Sequence, residues 1–142
     1  MARTNFENLA VFQLAERLSD QMWGIVIEWP ILARDTVGKQ LVRAADSIGA
    51  NIAEGAGRGS FPDNRRFVRI ARGSLHETKY WLRRAFRRSL LSEQQIASLK
   101  PLLDELAPRL NAYLKSIGKL AAKQSNAIEP LPSEALQRTT DN

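Results

Sequence analysis

From Gln40 to Gly59 the chain reads QLVRAADSIGANIAEGAGRG. Val37, Leu41, Ala44, Ala45, Ile48 and Ile52 recur at helical spacing. Arg43, Ser47, Asn51 and Glu54 follow the same spacing on the neighbouring side, since residues three and four apart share a helix face. The pattern then breaks into Gly55, Gly57 and Gly59. A helix with a polar stripe beside its apolar one must pack against something, and no strand reading accommodates that period. The rest of the chain therefore has to supply surfaces that cover a long helix.

It supplies them as further helices. Upstream, Val11, Leu14, Leu18, Met22, Ile25 and Trp29 are three or four residues apart, predicting a helix over about 6–28. Phe12, Ala15, Trp23 and Ile27 widen its apolar surface, so part of it is available to an oligomer contact. Trp29-Pro30 ends it, because a residue before proline is pushed out of helical geometry. Asp35 or Thr36 is the expected cap of the second helix, over about 36–55. Ser60-Phe61-Pro62 opens a third over about 62–90, where Phe67, Ile70, Ala71, Ser74, Leu75, Thr78, Leu82, Ala85 and Phe86 keep a helical rhythm. Ser92 with Gln95 forms a capping box for a fourth helix, over about 93–122. Its apolar positions Ile96, Leu99, Leu103, Leu106, Leu110, Tyr113, Ile117 and Leu120 keep one phase through Pro101 and Pro108. One bent helix fits that better than two elements. Beyond Lys123 the periodicity stops, and residues 124–142 read as a disordered tail. The expected fold is all-α, an up-down-up-down antiparallel four-helix bundle over residues 1–123 with a disordered C-terminal tail.

Charge is concentrated on the third helix. Between Arg58 and Arg88 ten basic residues stand against Asp63 and Glu77, a local charge of +8 in a chain of net +6. Nine of the ten are arginine, whose planar fork suits phosphate and carboxylate groups. Arg65, Arg69, Arg72, Lys79, Arg83 and Arg87 form a ridge that Arg66, Arg84 and Arg88 broaden. These nine are the candidate nucleic-acid-binding residues, and contact would be to phosphates with little base specificity. The competing reading is a solvated face neutralised by acids such as Glu16, Asp104 or Glu105. Tyr80 and Trp81 stand beside the ridge, where they stack on bases or serve as core and interface residues.

The remaining motifs point away from chemistry. Arg43, Ser47, Asn51, Glu54 and Arg58 are spaced to hydrogen-bond along one edge, a structural polar network that fixes register. The run Gly55-x-Gly57-x-Gly59 follows a helix and lacks Gly-Lys-Ser/Thr, so it reads as a helix stop with left-handed positions rather than a phosphate loop. Gly73 predicts close approach of another helix. There is no cysteine, and His76 is the only histidine, so no catalytic constellation, metal site or cofactor is expected. The interrupted N-terminus and the lack of an apolar run near 20 residues lead to an expectation of a cytoplasmic protein with no membrane association.

The segments Gln40–Gly55 with Gly57-Arg58, and Phe67–Leu75 with Glu77, resemble the bacterial four-helix-bundle family named after reading frames inside intervening sequences of large-subunit ribosomal RNA. They are also similar to the accessory variability protein of diversity-generating retroelements. The resemblance runs from about Phe6 to about Leu120. It implies a homopentamer with a basic surface and, in the retroelement relatives, partnership with a reverse transcriptase and nucleic acid. Val42 departs from the family pattern where a second basic residue is common, which weakens any phosphate role for the second helix. The two prolines of the fourth helix are a further departure. The expected function is a non-enzymatic homo-oligomeric module that binds RNA or DNA backbone and serves a larger nucleic-acid enzyme. The alternative is an oligomeric protein-interaction scaffold without nucleic-acid binding.

Overall fold

The computed structural model describes residues 9–127, all of them helical or in the short links between helices. Residues 1–8, with the expected start of the first helix near residue 6, and residues 128–142 of the expected tail lie outside the described residues. Helix α1 is Ala10–Val26. Helix α2 occupies residues 31–56: a first turn Ile31–Ala33, a wider π-helical turn Arg34–Gly38, and the long segment Lys39–Ala56. Helix α3 is Phe61–Arg87 and α4 is Glu93–Ala127.

The second helix starts five residues before its expected cap. Pro30 takes the extended cap geometry and its carbonyl accepts from Arg34 N–H at 2.9 Å. Asp35 and Thr36 are inside the helix. The Thr36 hydroxyl donates back to Leu32 O at 2.7 Å, a bond that a threonine forms within a helix rather than at its start. The other two starts follow the sequence. Ser60 Oγ accepts from Asp63 N–H at 3.3 Å, with Pro62 in the first turn. Ser92 and Gln95 bond reciprocally at 2.9 and 3.1 Å. The fourth helix runs through Pro101 and Pro108 to Ala127, so residues 124–127 are helical rather than tail. Both prolines are exposed, so their rings lie away from the packed face.

The helices close around one core. α2 packs on α1 and α3, and α4 on α1 and α3. Leu18, Met22, Leu41, Ile48, Ile52, Leu75, Leu106 and Leu110 are fully buried. Position 55 of α2 meets 64–67 of α3, whereas position 47 meets position 74. The two helices therefore run in opposite senses along their contact. On α3 the buried stripe is Val68, Ala71, Ser74, Leu75, Thr78, Leu82 and Ala85. Ile70 and Phe86, expected in the core, are exposed. On α4 Leu102 is buried, Leu103 is half-buried and Leu120 is exposed. The rest of the expected α3 stripe from Ala71 to Ala85 is buried, as are Leu99, Leu106, Leu110 and Ile117 on α4, so the expected faces hold and only their margins differ.

Glycines mark the closest approaches. A Cβ on Gly55 would stand 2.7 Å from Asn64 Oδ1, 2.9 Å from Phe67 Cβ and 3.1 Å from the Asn64 carbonyl. A Cβ on Gly38 would stand 2.6 Å from Val26 Cγ1. Gly73, expected at a close approach, has nothing within 4 Å. No described glycine has positive φ, so Gly55, Gly57 and Gly59 end the helix without the expected left-handed geometry.

Candidate nucleic-acid interface

With Val68, Ala71, Leu75, Thr78, Leu82 and Ala85 facing the core, the basic residues of α3 can occupy only its flanks and outer face. They divide into groups along the helix. Toward its start, Arg65, Arg69 and Arg72 line an open cleft of about 530 Å³ with Asn111, Leu114, Lys115 and Gly118 of α4. Arg72 Nη1 donates to Asn111 Oδ1 across it at 3.2 Å. Arg65 is half-buried, and its Nε has no hydrogen-bond partner. Arg69 and Lys115 are exposed.

Toward the end of α3, Lys79 and Arg83 border a separate groove of about 680 Å³. Its walls are largely apolar, including Tyr80, Phe86, Leu99 and Leu103, and it also meets His76, Lys100 and Asp104. Arg84 stands over the Tyr80 ring at 5.8 Å, and its Nε is likewise buried without a partner. Arg87 and Arg88 are exposed in the last turn and at the helix end, where positive charge complements the helix dipole. Arg66 reaches toward Asp63 at 3.9 Å and lies over the Phe67 ring at 4.8 Å.

Acids contribute little to this face. Among the described residues the ion pairs are Arg34–Asp35, Arg58–Glu54, Arg66–Asp63 and Lys100–Asp104. None links α3 to another helix. Asp104, a candidate neutraliser, pairs with Lys100 on its own helix at 3.0 Å. Trp81 donates to Glu77 at 3.3 Å and meets Tyr80 edge-on with ring centres 4.9 Å apart.

The polar stripe of α2 divides too. Ser47 and Ser74 hydroxyls are 2.9 Å apart across the α2–α3 contact. Asn51 Nδ2 donates to Ser47 O and to Ser47 Oγ at 2.8 and 2.9 Å. Ser74 Oγ also contacts the Ile70 carbonyl at 3.1 Å. Glu54 pairs with Arg58 at 2.8 Å on the surface, and the Arg58 guanidinium lies over the Phe67 ring at 4.9 Å. Arg43 is exposed and outside these hydrogen bonds. The arrangement links two helices in register through Ser47 and Ser74. Among the described residues no group of three or more His, Asp or Glu is placed to hold a metal ion, and no helix is long and apolar enough to cross a membrane.

Asn111 and Lys115 have no counterpart in the residues singled out from sequence. They are four apart on α4 between the buried positions Leu110 and Ile117, a spacing that marks an exposed helix edge and nothing more. Their relevance comes from the alignment of α4 with α3.

A family model described as 23S rRNA-intervening sequence protein matches residues 7–112. Among solved structures, a protein of unknown function from the S23 ribosomal protein family of Bacteroides thetaiotaomicron VPI-5482 superposes with a TM-score of 0.66 at 24% identity. The match covers 75% of this chain and 99% of that one. At that identity the likeness shows the fold. No curated protein matches the chain.

Proposed function

The chain belongs to the 23S rRNA-intervening sequence protein family, and from that premise we propose that it is a non-enzymatic, homo-oligomeric helical bundle that binds RNA or DNA backbone through α3. The observation that carries this is the uncompensated charge of that helix. Of the eight basic side chains of α3 and Arg88 at its C-terminal cap, only Arg66 has a described carboxylate within 4 Å, at 3.9 Å. Arginines without acid partners are free to meet phosphate, and repetition in an oligomer multiplies the field they produce. The family's name, tied to an intervening sequence of 23S rRNA, accords with an RNA-associated role. Service to a larger nucleic-acid enzyme in the cytoplasm belongs to the same proposal.

Titration of labelled structured RNA and single-stranded DNA at several salt concentrations tests it. Affinity falls linearly with salt on logarithmic axes, with a slope of about −0.7 to −0.9 per phosphate neutralised. Replacing Arg65, Arg69, Arg83 and Arg87 by glutamine lowers both affinity and slope. Absence of binding at low salt, or affinity unchanged by the four substitutions, rejects the reading.

Self-association has its own support. Trp23, Ile27, Ile31 and Leu32 are 59%, 45%, 69% and 79% exposed, an apolar set at the α1–α2 junction that a second copy would cover. A homopentamer requires a light-scattering mass of about five times 15.9 kDa. The second reading, a protein-interaction scaffold, draws on the apolar groove that contains Tyr80 and Phe86. It prevails if the oligomer forms and nucleic acid does not bind.

A further inference from the structure

We infer that the cleft between the first part of α3 and the second part of α4 is a phosphate-binding site, with Arg65, Arg69, Arg72 and Lys115 as its cations and Asn111 as a polar partner. Four of its seven lining residues are cationic and none is acidic. Its volume of about 530 Å³ is within the range of small-molecule clefts. Spacings of four and three place Arg65, Arg69 and Arg72 on one side of α3, where like charges repel. A bound anion would relieve that repulsion.

A further observation points to an acceptor. Arg72 is held across the cleft by its bond to Asn111 Oδ1. That bond uses the acceptor of the Asn111 amide and leaves its N–H groups as donors. The polar side chains around the cleft therefore offer donors, which matches the oxygens of a phosphate. The groove farther along α3 differs, because apolar residues and Asp104 line it.

The phosphate can come from a nucleic-acid backbone or from a free phosphorylated compound. Only the first source rests on the function proposed above. The test compares the full chain with two double variants that remove equal charge from exposed positions. Arg69→Gln with Lys115→Gln alters the cleft, and Arg83→Gln with Arg87→Gln alters α3 outside it. Calorimetry with pyrophosphate and anisotropy with labelled RNA are run on all three, with thermal melts confirming folding.

The expected result is pyrophosphate binding that weakens about tenfold in the cleft variant and is nearly unchanged in the other. RNA affinity should fall in both variants and further in the cleft variant. If pyrophosphate does not bind and both variants weaken RNA equally, the site is rejected while backbone binding stands. Pyrophosphate binding that depends on the cleft, without RNA binding, keeps the site and rejects the nucleic-acid reading. Binding of neither probe rejects both.

Discussion

The hydroxyls of Ser47 and Ser74 meet at 2.9 Å between α2 and α3, and each has a second partner on its own helix. Ser47 Oγ accepts from Asn51 Nδ2, and Ser74 Oγ reaches the Ile70 carbonyl. The bond is therefore a link between two locally anchored groups. Substituting either serine by alanine is expected to cost about 0.5–1.5 kcal/mol, the net worth of an ordinary hydrogen bond. The double variant should cost less than the sum, because the second substitution removes a hydroxyl whose cross-helix partner is already gone. Denaturant melts of the four proteins measure this coupling, and strict additivity would mean that the contact carries no energy.

Gly55 and Gly73 make a controlled pair. Alanine at Gly55 must displace Asn64 and Phe67, including the Asn64 backbone, so Gly55→Ala is expected to cost about 1–3 kcal/mol. Alanine at Gly73 enters open space. There Gly73→Ala should stabilise by about 0.5–1 kcal/mol, since glycine in a helix interior loses more conformational freedom on folding. Opposite shifts in melting temperature verify the assignment.

Ser89 is the one described non-glycine residue with positive φ, at 59°. It follows the end of α3, where Ser89 N–H bonds to Phe86 O at 3.1 Å and Leu90 N–H to Ala85 O at 2.9 Å. That pair of bonds is the helix-ending motif usually built on glycine. Removing the side chain there relieves left-handed strain of about 1 kcal/mol. Ser89→Gly should accordingly raise the denaturation midpoint, with the slope of the transition unchanged.

Exposed Trp23 and Leu32 test self-association. Changing both to glutamate affects surfaces that are 59% and 79% exposed in the protomer, so helical content should hold. If these residues are covered by another copy, desolvating the new charges opposes assembly. The scattering mass should then fall toward 15.9 kDa. An unaltered oligomer would place the subunit contact elsewhere.

Much of the architecture was legible in the residues. The caps at Ser60 and at Ser92 with Gln95, and the buried set Val37, Leu41, Ala44, Ala45, Ile48 and Ile52, were readable because each signal acts within a few residues. The start of α2 was not, because Thr36 bonds inside a helix as readily as it caps one. On α3, Val68 is buried whereas Ile70 and Phe86 are exposed. Apolar character alone did not determine which side the neighbouring helices would cover.

The opening stretch from Gln40 to Gly59 determined by itself that a long amphipathic helix stops near Gly55, as the Lys39–Ala56 segment does. Its local periodicity suffices, because hydrogen bonds four residues apart and one apolar face define a helix. Only the tertiary structure decided why Gly55 is small, which serine Ser47 meets, and that Asn111 and Lys115 share a cleft with Arg65, Arg69 and Arg72. Those relations depend on how far one helix slides and rotates against the next. That alignment is set by side-chain packing across the whole interface, so no single segment encodes it.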